Sequence, residues 1–470
     1  MFNFAVNLVT DARGMPIRRP RHSYTRYIIW LTVLSTALAC IGGALSGVAL
    51  PNQVQDIVGA QWFTGADAKV DHQQLELLQQ KVDAGAASPT SEEHRQLELL
   101  DGFNSERAQA LTLISFIGAA LVTVIGPLVG ILADSTRSRL GRRAPWIVSG
   151  TLTAAFLLVA LRFASSIAAL AVVHTLMLVG ANAALTALNA TLADRVTEEK
   201  RAHASAFSGF GTFLGSLLGG LSAGLLFTAL GLDFYYLLAI VVAVSGLLFV
   251  ALAPDDSSRH KIVPQLSCRS VFQGLTEALR LRNFRWLFVS RALLMLGFSV
   301  PAALNFFMLQ SYVEPALSQA EATAMAPVVA LIGTPLTLLA LLIVGVASDR
   351  LRRRKPFVVL ASVIMALSMT VPIAVPSVVG ILIQTALSFI AFGVYLPASQ
   401  ALFIECLPDT LNAGRDLGIA GLASNIGNAL GPVFAGGIVV AAGGYSGVWI
   451  AGAGIAILSG VALLGLRNLA

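Results

Sequence analysis

Apolar residues in this chain come in long, nearly uninterrupted runs, without the alternation of a soluble helix or strand. The runs cover 27–50, 108–133, 146–163, 167–192, 204–231 and 235–252. After a polar stretch at 254–285 they resume at 286–312, 325–347, 357–373, 378–404, 417–442 and 447–466. Each approaches the length of about 20 residues that a helix needs to cross about 30 Å of hydrocarbon. The pattern predicts an all-α membrane protein of twelve transmembrane helices. An even number returns the C-terminus to the side of the N-terminus. The polar gaps divide the chain into a basic tail at 1–26, a six-helix bundle at 27–252, a linker at 253–285 and a second six-helix bundle at 286–470.

Composition supports lipid as the solvent. Hydrophobic residues make up 56% of the chain and charged residues 12%, against about 25% charged in soluble domains. The charge is also segregated. Of 31 Lys and Arg, 25 fall in the tail, the linker and the loops of one side, five on the other, and Arg291 within a run. Basic loops stay in the cytoplasm. That rule predicts cytoplasmic N- and C-termini in a multi-pass protein of the cell (plasma) membrane. The tail and first run read as a membrane helix, too long for a cleavable signal. Cys40, Cys268 and Cys406 have no metal-ligand spacing, so neither a metal nor another cofactor is expected, nor a disulfide.

The one large outer segment is 51–105. With its flank to Arg107 it carries ten acids against four bases. Leu75, Leu78 and Val82, then Leu97 and Leu100, have helical spacing. Two short amphipathic helices over the outer face are expected, as a solvated cap or as a lid.

The two halves repeat. Asp134-Ser-Thr-Arg-Ser-Arg-Leu-Gly-Arg-Arg-Ala-Pro follows the second run, and Asp349-Arg-Leu-Arg-Arg-Arg-Lys-Pro follows the eighth. Pro145 and Pro356 are 211 residues apart, and the same offset joins Asp194 to Glu405 and Asn189 to Gln400. A shared offset predicts a duplicated six-helix unit.

Two such halves, each with a basic loop opening on Asp, resemble the major facilitator superfamily over nearly the whole chain. The most specific piece is Gly130-Ile-Leu-Ala-Asp134 with Arg137, Gly141, Arg142, Arg143 and Pro145-Trp146. Its longer loop is similar to that of the glycoside–pentoside–hexuronide:cation symporters and sucrose-transporter-like carriers, as is the Asn-rich fourth run ending at Asp194. The sodium-coupled members carry carboxylates in the second helix. Here that run has none before Asp134, which speaks against sodium. The resemblance implies the major facilitator fold and a secondary active carrier working by alternating access. It also implies that Asp134 meets the helix starting near Leu417, and Asp349 the helix starting near Ala204.

The residues themselves supply candidates for each task. The gating motif comprises Gly130, Asp134, Arg137, Gly141, Arg142, Arg143, Asp349, Arg350 and Arg353, with Asp194, Glu405 and Asp416 as acids for the arginines. Arg291 lies inside the seventh run, where an unpaired guanidinium costs several kcal/mol; Glu405 is its expected partner, and snorkelling to the interface the other outcome. His174 is a lone intramembrane histidine, suited to a proton relay or to packing. No run carries a central carboxylate. Polar groups at mid-membrane are mostly amides, and Asn182, Asn305, Gln384 and Tyr395 are expected to line a cavity, since amides both donate and accept as sugar hydroxyls do. Gly211, Gly215, Gly219, Gly427 and Gly431 permit close helix contacts.

No phosphate loop, dinucleotide fingerprint or hydrolase motif is present, so neither an enzyme nor an ATP-driven pump is expected, and nothing points to nucleic acid. The favoured reading is a carrier of a sugar or glycoside together with protons. An exporter of amphipathic drugs or metabolites on the same fold is the alternative, and a non-transporting receptor or scaffold comes from another class.

Overall fold

The structure is a computed structural model that describes residues 24–255, 257–258, 279–351, 354–406, 413–442 and 444–466. Arg353 and most of the basic tail and linker lie outside them, as do the side chains of Asp349 and Asp416. Among the described residues every regular element is a helix, and there are no strands.

The first helix, α1 (Tyr24–Trp62), runs well beyond its apolar run. It holds a π-helical stretch at Leu45–Ala49, immediately before Pro51. Proline has no N–H to donate and its ring crowds the turn behind it; a widened turn relieves both. After a short turn comes α2 (His72–Asp83), started by the Asp71 carboxylate accepting from the Gln73 N–H at 2.9 Å.

Next, α3 (Ser91–Ser135) begins with Thr90 and Glu93 in a reciprocal capping box. The expected second amphipathic helix is therefore the first part of α3, not a separate piece. Between Leu97 and the apolar run there is no proline and only one glycine, Gly102, so nothing ends the helix once started. At 45 residues it spans roughly 68 Å, about twice a bilayer core.

There follow α4 (Ala144–Leu161), α5 (Ile167–Arg195), α6 (Glu198–Leu230) and α7 (Phe234–Leu252). The second half contains α8 (Arg282–Ser311), α9 (Gln319–Leu351), α10 (Lys355–Ala374), α11 (Val378–Glu405), α12 (Ala413–Ala442) and α13 (Ser446–Ala462). Eleven helical stretches are long and apolar enough to cross a bilayer. One of them, His203–Leu252, is broken at Gly231, whose φ of 54° suits only glycine. With α6 and α7 counted apart, the described residues hold the twelve expected spans, α2 being an extra helix outside them.

Packing repeats between the halves. In the first, α1 lies against α6, α3 and α4 against α5, and α4 against α7; in the second, α8 against α12, α9 and α10 against α11, and α10 against α13. The α1–α6 contact is made by Gly211, Gly215 and Gly219 on the backbone carbonyls of Thr32, Thr36 and Cys40. Gly427 makes the matching approach to the Ala292 carbonyl. A methyl group at any of these would push the helices apart.

The halves meet through α3 with α12 and α6 with α9. Contact is close at the face carrying α2: Gly436 faces Thr112, Gly224 faces Pro327 and Gly220 faces Ala330. Towards the opposite face, that of the basic loops, a Cβ added at Gly130, Gly209, Gly345 or Gly421 would meet no atom within 4 Å. Among the described residues the two halves are thus in close contact at the capped face.

Candidate functional site

Between the halves lies a cavity of about 520 Å³, within the range of small-molecule sites. Its polar groups include Ser46 of α1, Ser115 of α3, His174 of α5, Asn305 of α8, Gln384 and Ser388 of α11, and Asn428 of α12. Phe298, Phe306, Phe389 and Trp449 supply apolar faces. Among the described residues the wall holds no Asp, Glu, Lys or Arg. Gln384 Nε2 donates to Ser388 Oγ at 2.7 Å, leaving its carbonyl oxygen free of that bond. His174 is buried, and its Nδ1 has no partner.

Of the four residues expected at the cavity, Asn305 and Gln384 line it, while Asn182 and Tyr395 are not part of the wall. Asn182 Oδ1 accepts from Thr186 within α5 at 3.4 Å and stands 3.4 Å from where a side chain on Gly126 would be. Tyr395 is fully buried inside the second half.

The basic-loop motif forms a compact ion cluster. Arg142 Nη2 donates to Asp194 Oδ1 at 2.5 Å, and Arg143 Nε to Asp194 Oδ2 at 2.9 Å. Arg143 Nη2 also donates to the Asp134 carboxylate, with Arg142 Nη1 3.9 Å from the same group. Gly141 has φ of 93°, and its backbone lies against Asp255, so a side chain there is excluded twice. Arg137 is exposed, as is Arg350 at the end of α9. The helix start near Leu417, which the family resemblance pairs with Asp134, has its side chains outside the described residues.

In the second half the matching pair is Arg354 Nη1 to Glu405 Oε1, at 2.9 Å. Arg354 stands 211 residues after Arg143, as Glu405 does after Asp194. The offset already visible in the sequence would have selected Arg354 over Arg353.

Arg291 differs from expectation in its partners. Its Nε donates to Ser424 Oγ at 2.7 Å and its Nη1 to Gln400 Oε1 at 3.2 Å, with the guanidinium 5.4 Å from the Phe403 ring centre. Glu405 is held by Arg354, so Arg291 is a charge satisfied by neutral groups on α11 and α12.

Sequence reasoning missed the group that seals the capped face. Arg107 of α3, 1% exposed, sits between the rings of Phe103 and Phe307, and its Nη2 donates to Ser311 Oγ of α8 at 2.6 Å. Glu76 of α2 lies 3.6 Å from Arg107 and accepts from Ser311 Oγ at 2.6 Å and Asn104 Nδ2 at 2.9 Å. Burial raises the Glu76 carboxyl above its ordinary pKa, with Arg107 opposing. Among the described residues Glu76 is the only buried carboxylate. Around it, Gln55 Nε2 donates to Gln310 Oε1 at 2.9 Å, Asn52 Nδ2 to Thr323 Oγ1 at 3.1 Å, and Gln80 Nε2 to the Val313 carbonyl at 2.7 Å.

The model of the Major Facilitator Superfamily matches residues 32–340 and 287–469. The chain belongs to this superfamily. Among solved structures, this facilitator is similar to a bacterial homolog of the human lysosomal transporter Spinster, crystallised inward-facing and unoccupied, at 15% identity and TM-score 0.63 over 95% of this chain and 99% of that one. It is also similar to the nucleoside transporter NupG, at 14% identity and TM-score 0.63 over 93% and 98% of the two chains. A D-xylose–proton symporter matches at 14% identity and TM-score 0.63 over 95% and 99%. No curated protein sequence matches the chain. At such identities the likeness is one of fold.

Proposed function

We propose that this facilitator is a secondary active carrier that moves a neutral, hydroxyl-rich solute, a sugar or glycoside, together with protons. The observation that carries this reading is the central wall: among the described residues, amides and hydroxyls from seven helices, aromatic faces beside them, and no fixed charge. Amides and hydroxyls meet sugar hydroxyls as donors and acceptors alike, while a charged solute would be left without a counter-ion. Among the described residues of that wall His174 is the one imidazole, a group that can both take up and release a proton.

In this reading the basic face is cytoplasmic, by the segregation of Lys and Arg, and the state described is one in which the halves meet at the capped face. The two halves, 27–252 and 286–470, rock about the cavity. Asp134, Asp194, Arg142, Arg143, Arg354 and Glu405 hold their loops for closure of that face. Arg107 and Glu76 close the other.

Purified protein in liposomes with an imposed pH gradient tests the proposal. Proton entry accompanying uptake of a disaccharide, lost in Asn305→Leu, is expected. The aromatic faces of Phe298, Phe306, Phe389 and Trp449 favour the second reading, an exporter of amphipathic compounds. Indifference to every sugar with dye efflux in the same liposomes would establish it instead.

A further inference from the structure

The first helix reaches the central cavity at an irregular place. Of the π-helical stretch Leu45–Ala49, Leu45, Ser46 and Gly47 lie in the cavity wall, with Gly42 about one turn before. A side chain built on Gly42 or Gly47 would meet no atom within 4 Å, so bare backbone faces open space at both. Ser46 Oγ donates to the Gly42 carbonyl at 2.5 Å, which leaves that hydroxyl able to accept a further bond but not to donate one.

The same stretch divides α1 by what each part holds. Before it, Gly43 lies on the Ser216 carbonyl and continues the packing on α6. Beyond it, Asn52 Nδ2 donates to Thr323 Oγ1 at 3.1 Å and Gln55 Nε2 to Gln310 Oε1 at 2.9 Å, while the Asp56 carboxylate accepts from Gln319 Nε2 at 3.0 Å. All three bonds reach the second half at the capped face. An α-helix turns about 100° per residue. Tightening the widened turn to an α-turn would therefore swing everything beyond it by about that angle, taking Asn52, Gln55 and Asp56 off their partners. The widened turn and the capped-face contact go together.

We propose that cargo in the central cavity rests on the backbone of Gly42 and Gly47, and that the widened turn passes this contact on to the capped face. Cargo seated there fits the turn in its widened form, the form that aligns Asn52, Gln55 and Asp56 with the second half. Bound cargo thus favours the capped-face contact, through its differential affinity for two forms of one turn. Ser46, with only lone pairs left to offer, suits a cargo that donates from a hydroxyl. The inference rests on the carrier reading above, from which it takes the site and not the identity of the cargo.

The test uses the full chain in detergent, free of its native cysteines and spin-labelled at Ala84→Cys and Ala320→Cys, exposed positions on either side of the capped-face contact. Radiolabelled sucrose, raffinose and chloramphenicol are the probes in equilibrium dialysis. At a saturating concentration of a bound probe, the wild type should show more of the short distance. Gly42→Val and Gly47→Val place a side chain in open space; each should stay monodisperse in gel filtration and weaken probe binding by about tenfold. Two further variants examine the turn itself. Pro51→Ala restores an N–H that lets the turn tighten, and should lower the short-distance population with no probe present. Deleting Gly47 removes the extra residue, so a regular α-turn keeps both parts of α1 in line; this variant should keep the short distance and no longer respond to probe. The proposal falls if both glycine variants bind as wild type, if bound probe leaves the wild-type distances unchanged, or if Pro51→Ala and the deletion behave alike. Chloramphenicol bound in place of the sugars, with the same sensitivity to Gly42 and Gly47, would remove the sugar reading and leave this one standing. Sugar uptake indifferent to both glycines would do the reverse, and binding of none of the three probes would end both.

Discussion

Replacing Arg107 by methionine should release the capped face. Methionine keeps much of the stem that fills the gap between Phe103 and Phe307, 4.8 and 4.7 Å from the guanidinium carbon. It removes the charge that faces Glu76 and the donor to Ser311. Deleting one partner of a buried pair costs about 3–5 kcal/mol, because the other charge stays behind unpaired. Glu76 keeps its bonds from Asn104 and Ser311, at 2.9 and 2.6 Å, which places the cost near the lower end, about 3 kcal/mol. The penalty falls on the closed state alone, since parting the face lets water reach Glu76. At about 1.4 kcal/mol per tenfold, the closed-to-open ratio should fall by roughly 100-fold. Double electron–electron resonance would read this from labels at Ala84→Cys and Ala320→Cys, both exposed positions, in a background without the native cysteines. Wild type should give one short distance and Arg107→Met a dominant longer one. Glu76→Gln combined with Arg107→Met should recover part of the closed population, as coupled neighbours do. An unchanged distance distribution in a folded Arg107→Met protein would refute the reasoning.

Asp134→Ala should insert and fold as wild type yet lose at least tenfold in uptake, because Arg143 loses one of its two acidic partners; uptake at the wild-type rate would contradict a gating role. Arg291→Lys should lower the midpoint of thermal unfolding in detergent nearly as much as Arg291→Gln. One ammonium cannot reproduce the fork to Ser424 and Gln400, and hydrogen bonds to a charged group contribute about 1.5–3 kcal/mol; full stability of the Lys variant would restore the snorkelling account. The docking of α2 should also respond to pH in two opposed ways. Glu76 is raised by burial, so docking binds its proton more tightly and weakens as pH climbs above the ordinary value of 4.5. His72 is lowered by burial and by Arg107, so docking weakens as pH falls through 6.5. Hydrogen exchange of residues 72–83 should therefore slow with rising pH in Glu76→Gln and quicken with it in His72→Phe, after correction for intrinsic rates. Parallel slopes in the two variants would show that neither group senses the docking.

Much of the fold could be read from the chain because membrane helices announce themselves. A span must be apolar over its whole length, whatever it packs against, so run length alone locates it. Helix ends are different. Leu97 and Leu100 have the spacing of a surface helix, and nothing in their pattern says that it continues into the bilayer as α3; only the missing breaker before residue 108 does. Cavity residues were half legible for a related reason. An amide at mid-membrane must be satisfied, but Asn182 can do so inside its own helix while Asn305 faces the space between halves, and hydropathy does not distinguish the two directions.

The two faces of the molecule differ in what duplication can reveal. At the basic face each half carries its own copy of the device, Arg143 on Asp194 and Arg354 on Glu405, so one numerical offset links them and exposes the pair. The capped face has no such duplicate. Its seal is made by Glu76 and Gln80 of α2, a helix that only the first half possesses, against Ser311 and Val313 of the second. The partners are 235 and 233 residues apart in the chain, and no repeat relates them. Arg107 therefore looks like one of five stray bases on the acidic side until the fold brings Glu76 and Ser311 to it. The segment between the first two spans thus gives this facilitator a contact between its halves at one face that its internal repeat does not provide. If the proposed carrier works by alternating access, gating there could be altered through α2 without touching the matched pairs at the other face.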